Sequence, residues 1–225
     1  MYPVTYEADN PGEGRNRLTT FFRYIVAIPW LIVVGLYGFV ASIAVIVAWF
    51  ALVFTGQYPE GIYNFVAGYV RLHARVNAFI HLATDEWPPF DGNDNPSYPV
   101  RAGIPPPKPE YSRVKAGFRL IIGIPVILLA YVQTLIAYVI AIIAWFAILF
   151  TGRLSDGLFD PLRSALAYVT RATAYFALLT EDYPPFTLEQ GSGSAASLEP
   201  GSAPAAQQQP APAAPPPPPD PGTRR

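Results

Sequence analysis

The 225-residue chain has a net charge of −1, no cysteine and 52% hydrophobic residues. Near-neutrality gives no basic stripe for nucleic acid, and the missing thiols exclude disulfides, thiolate catalysis and cysteine-ligated metals. The apolar residues are segregated, because Tyr24–Thr55 and Leu120–Thr151 contain no charged residue.

Met1 to Gly14 form an acidic, Gly/Pro-containing arm. It lacks the basic region of a cleavable signal peptide, so the first apolar run is expected to stay in place as an anchor. A basic lead-in follows with Arg15, Arg17 and Arg23, and then Pro29. Proline suits the first turn of a helix, where its missing N–H would be unpaired anyway. A membrane span is therefore predicted over about 29–54, with Trp49 near the far interface. Thr55-Gly56 stops it, since glycine readily ends a helix. A second helix over about 59–83 places Ile62, Phe65, Val66, Tyr69, Val76, Phe79 and Ile80 at helical spacing. Arg71, His73 and Arg75 sit in its middle.

A Gly/Asn/Pro linker from Asp91 to Tyr111 contains Tyr98-Pro99-Val100, an echo of Tyr2-Pro3-Val4. The whole series then recurs at an offset of 96 residues, with Arg119 for Arg23, Pro125 for Pro29 and Trp145 for Trp49. Thr151-Gly152, Arg171 and Pro184-Pro185-Phe186 repeat Thr55-Gly56, Arg75 and Pro88-Pro89-Phe90. The second span is predicted over about 125–150 and its following helix over about 155–179. From Gln190 the composition turns to Pro, Ala, Gly, Ser and Gln, too poor in apolar side chains to build a core.

These elements predict an all-α integral membrane protein of two tandem parallel repeats, 1–97 and 98–189. Each holds a long transmembrane helix and a second amphipathic or transmembrane helix, and 190–225 is a disordered cytoplasmic tail. Basic residues gather before both spans and in the linker, which puts the N- and C-termini in the cytoplasm of a multi-pass protein of the cell membrane. If the second helices return through the bilayer the chain makes four crossings, and Arg71, His73 and Arg75 are costly at its centre unless that face is buried against partner helices. The alternative lays the second helices in the interface and folds each apolar run as a hairpin broken near Gly35–Gly38.

Arg75 and Arg171 are the matched cations of the second helices, and Asp85-Glu86 and Glu181-Asp182 follow them. This set predicts either a site for lipid phosphate or a charged tie between helices. His73 and His81 have no counterparts in the second copy and too few companions to hold a metal. No catalytic, cofactor-binding or metal-binding residue is assigned, and no enzymatic activity is expected.

The chain resembles the bacterial membrane-protein family catalogued as domain of unknown function 4389. The resemblance rests on the basic-aromatic lead-in, Ile-Pro, Trp-Phe-Ala-x-x-Phe-Thr-Gly, the Arg-containing helix and the Thr-acidic-acidic-aromatic-Pro-Pro-Phe end. It implies a prokaryotic integral membrane protein and transfers no activity. The leading expectation is a non-catalytic scaffold or accessory subunit of a membrane complex. Its partners would be membrane lipids and a protein engaging the Pro-rich tail, or a second copy of the chain, without nucleic acid. The alternatives are a small-solute or lipid transporter or channel, and a membrane-shaping hairpin protein.

Overall fold

The computed structural model describes residues 2–10 and 12–185, so the proline-rich tail assigned to 190–225 lies outside the described residues. Strand β1 (Thr5–Ala8) leads into two short helices, α1 (Arg17–Phe21) and α2 (Arg23–Val26). The long helix α3 (Ile28–Thr55) follows, and α4 (Glu60–Ile80) turns back along it. The second copy repeats the order with β2 (Val100–Gly103), α5 (Arg113–Gly117), α6 (Arg119–Ile122), α7 (Ile124–Thr151) and α8 (Asp156–Phe176).

The long helices begin and end for the reasons the sequence supplies. Pro29 and Pro125 occupy their first turns, and Gly56 and Gly152 close them in the left-handed conformation, at φ 75° and 72°. Thr55 and Thr151 reinforce the stop. Each hydroxyl donates to the carbonyl one turn back, Ala51 or Ala147, and accepts from the N–H of Gln57 or Arg153. Ile28–Thr55 and Ile124–Thr151 are both long and apolar enough to cross a membrane. Each is one unbroken helix, so the hairpin with a break near Gly35–Gly38 does not form. Nothing in that stretch lowers the cost of opening several helical hydrogen bonds among apolar side chains.

Two expectations are corrected. The chain is not all-α, because β1 and β2 pair antiparallel, Thr5 opposite Gly103 and Ala8 opposite Val100. Tyr6 pairs with Ala102, its own counterpart at the 96-residue offset, so a pseudo-two-fold axis passes between them, perpendicular to the sheet. The repeats are also not parallel. Trp49, near the C-terminal end of α3, donates to the carbonyl of Ala116 in the lead-in of the second copy (3.0 Å). Trp145, near the C-terminal end of α7, donates likewise to Thr20 (3.0 Å). A 28-residue helix is about 42 Å long, whereas only a few residues separate each lead-in from its own long helix. The C-terminal end of each long helix therefore lies beside the N-terminal end of the other, and α3 and α7 run in opposite senses.

The copies interlock. β1 and α1 pack on α8 and α7 of the second copy, while β2 and α5 pack on α4 and α3 of the first. The molecule is thus layered along the two-fold axis. The sheet rests on α4 and α8, and these rest on α3 and α7. The middle layer is the most buried, with Val66, Val70, Leu72, Ala78 and Phe79 of α4 and Leu162, Ala165 and Ala174 of α8 inside. The outer helical layer is the reverse. Among the described residues, 34 of the 37 exposed large hydrophobic side chains lie between Leu18 and Phe54 or between Val114 and Phe150, so this apolar surface is gathered on one side.

Candidate functional site

The buried arginines Arg15, Arg23 and Arg119 collect where each lead-in meets the end of the second helix. In the first copy the chain leaves the end of α4 through Leu82, a non-glycine residue held at φ 66°. A leucine tolerates this sparsely populated conformation only when its surroundings hold it there, and its side chain is buried. The turn delivers the carbonyl of Thr84 to Arg23 (3.1 Å) and the carboxylate of Asp85 to Arg23 (2.5 Å) and Arg15 (3.2 Å). Asp85 also accepts the N–H of Asn16 (3.0 Å). Arg23 is 1% exposed, and its guanidinium lies 4.3 Å from the ring centre of Phe79. Burial pushes this guanidinium below its ordinary pKa, while Asp85 opposes the shift.

The second copy rebuilds the site with one change. Leu178 takes φ 63°, and Arg119 donates to the carbonyls of Tyr175 and Thr180, with the ring of Tyr175 at 4.2 Å. Glu181 accepts the N–H of Ser112 (2.5 Å), as Asp85 accepts that of Asn16, and it pairs with Lys108 (3.5 Å). Both acidic residues thus hold the N-terminus of a lead-in helix. Arg119, however, has carbonyls and a ring where Arg23 also has a carboxylate.

The residues singled out from sequence do not come together as one site. Arg75 turns away from Asp85 and Glu86 and reaches the linker, donating to the carbonyls of Asp91 (3.3 Å) and Asn93 (2.5 Å) and pairing with Asp91 (3.6 Å). Arg171 has its guanidinium 5.8 Å from the ring centre of Tyr2. Glu86 and Asp182 cap their turns instead, each backbone N–H bonding the hydroxyl of Thr84 or Thr180 (both 3.1 Å). Their carbonyls accept from Tyr98 and Tyr2, which explains the Tyr-Pro-Val echo. The cations overlooked as a set are Arg15, Arg23 and Arg119. Their signal was present, since Arg23 and Arg119 keep the 96-residue offset at the edge of an uncharged run. His73 and His81 both engage Asn77, and burial pushes the His73 imidazole down to about 4. No group of three metal-ligating residues occurs among the described residues.

Trp49 and Trp145 each tie one copy to the other. Removing one indole N–H takes the inter-copy donor from a carbonyl that keeps only a backbone N–H of its own lead-in, so Trp49→Phe and Trp145→Phe are each expected to cost about 1 kcal/mol. The sites are well separated, so the double variant should lose about the sum. Thermal unfolding in detergent measures it, and trypsin should reach Arg17 in the Trp145 variant and Lys115 in the Trp49 variant sooner than in the parent.

A middle cleft completes the inventory. A cavity of about 540 Å³ lies between α3 and α7, lined by Gly38, Ala41 and Val45, by Ile127 and Ala130, and floored by Tyr69 and Ala172. The family model described as "Domain of unknown function (DUF4389)" matches residues 17–91 and 113–187, two segments separated by the same 96-residue offset. No curated protein and no solved structure matches the chain.

Proposed function

Because the chain belongs to the DUF4389 family, a domain family of unknown function, we propose its role from geometry: a membrane-embedded, non-catalytic scaffold or accessory subunit. The observation that carries this reading is the one-sided apolar layer of α3 and α7. A soluble protein rarely exposes a contiguous apolar patch of more than a few hundred Å², and a larger one marks a lipid or protein contact. The charges support the same reading, because Arg15, Arg23, Arg75 and Arg119 are engaged in holding the fold. The polar layer and the Pro-rich tail are then the surfaces that engage partners.

Fractionation checks this. The full chain should remain in the membrane pellet after alkaline carbonate treatment. Deleting 190–225 should leave that retention unchanged and release a partner held by the tail. Appearance of the full chain in the supernatant overturns membrane embedding, and a partner kept by the truncated chain overturns the role of the tail.

A further inference from the structure

We propose that this chain lies in one leaflet instead of crossing the bilayer, with α3 and α7 in the plane of the membrane and the pseudo-two-fold axis along its normal. The partner of the apolar layer is then the hydrocarbon of a single lipid leaflet, and α4, α8 and the sheet face water. The inference rests on the membrane-embedded reading above and specifies its geometry.

The paths of the connecting segments carry the argument. The linker leaves the N-terminal end of α3, where the carbonyl of Pro88 accepts from the indole of Trp30. It reaches the opposite end of α3, where Tyr111 N–H bonds the carbonyl of Gly56 (2.9 Å). Between these points it runs through β2 over the outer side of α4. The N-terminal arm makes the reciprocal journey, from Tyr2 at the carbonyl of Asp182 to Arg15 at the carbonyl of Gly152. If α3 and α7 crossed a bilayer, both extended segments would cross it too, with the two-stranded sheet at mid-depth. Each strand of a two-stranded sheet has an unpaired edge, and lipid-exposed irregular backbone and open edges do not occur in the hydrocarbon. Arg101, with its partners Glu7 and Asp9, would also sit at the bilayer centre, where Glu7 and Asp9 are more than half exposed. Turning the axis by a right angle places all of these groups in water.

Charge and length agree. Arg15, Arg17, Arg23 and Arg153 mark one end of the long axis, while Lys108, Arg113, Lys115 and Arg119 mark the other. Four cations at each end give no bias for the positive-inside rule, which expects an excess on one side of a spanning protein. In the membrane plane both sets lie at the same headgroup level, where basic side chains are favoured. The exposed apolar side chains also continue past each long helix into its lead-in, at Leu18, Phe21 and Ile25 and at Val114, Phe118 and Ile121. A helix of about 42 Å already exceeds the ~30 Å hydrocarbon core before that extension is added. An in-plane helix has no such limit. The cleft between α3 and α7 then opens toward acyl chains, continuous with the apolar layer.

The absence of cysteine makes the test direct. Single variants Gln57→Cys, Arg153→Cys and Asn93→Cys place thiols at exposed positions at either end of the long axis and over the polar layer. An impermeant maleimide is applied to sealed vesicles of each orientation. The expected result is labelling of all three from the same side, with loss of labelling from the other. Labelling of Gln57 and Arg153 from opposite sides overturns the proposal in favour of antiparallel crossing. Labelling of both from outside with Asn93 inside overturns it in favour of four parallel crossings. Recovery of the unmodified protein as a detergent-free soluble oligomer would mean that a second copy covers the face, and would remove the membrane reading itself.

Discussion

Arg23→Ala should unfold this protein more readily than any other single substitution on the charged ends, by about 3–5 kcal/mol. Arg23 is 1% exposed, and its removal leaves the carbonyl of Thr84 and the carboxylate of Asp85, itself 21% exposed, without their principal donor. Breaking a buried pair costs more than the pair itself contributes, because the remaining charge has lost its compensation. Arg15 still reaches Asp85 and limits the loss. Arg119→Ala should cost less, since it strands only neutral carbonyls and an aromatic face. Arg23→Lys should recover little, because an ammonium cannot bond Thr84 and Asp85 with two separate nitrogens while lying flat on Phe79. Denaturant unfolding in detergent ranks the three. Equal losses for Arg23→Ala and Arg119→Ala would mean that the carboxylate contributes nothing beyond what carbonyls provide.

Gly92→Ala is the second change expected to have a large effect. A Cβ at position 92 would stand 2.5–2.6 Å from backbone atoms of Gly68 on α4, a contact that backbone cannot relieve by rotating. The loop must lift off the helix, and the donors it carries carbonyls for, Arg71 and Arg75, lose their geometry. Overpacking of this kind costs about 1–3 kcal/mol, and each weakened bond to a charged donor adds to it. Gly68→Ala meets the hydroxyl of Tyr37 at 2.6 Å, which is the far end of a side chain and can move. The order of midpoints, parent above Gly68→Ala above Gly92→Ala, is the expected result. A Gly92→Ala midpoint equal to the parent would show that the approach of loop and helix is not needed. The position matching Gly68 in the second copy is Ser164, so the sequence does not repeat this glycine.

Much of the fold was legible because helix signals are local. Proline in the first turn, Thr-Gly at the end and an uncharged interior located α3 and α7 within a residue at each end, 28–55 against about 29–54. The second helices were found by their apolar spacing, although Ile80 and Phe176 end them a few residues earlier than expected. The strands escaped because four residues per strand are too few for a period, and only the Tyr-Pro-Val echo hinted at them. The candidate site was half legible. Asp85 and Glu181 stand out in the sequence, but their hold on the lead-in helices is a contact that no spacing along the second helices points to. The partner of Asp85 lies 62 residues away, at Arg23.

The duplication and the family were legible in the chain alone because both are matches of residue pattern, and the two apolar helices and their caps because each depends on residues within a few turns of one another. The sequence could not determine the sense in which the copies oppose each other. A repeat at constant offset is compatible with parallel or antiparallel pairing. That choice was made by groups that meet only in three dimensions: Tyr6 across from Ala102, Trp49 on Ala116 and Trp145 on Thr20. Antiparallel pairing sets the axis perpendicular to the long helices. It thereby gathers the apolar surface on one side and the sheet, with Arg101, Glu7 and Asp9, on the other.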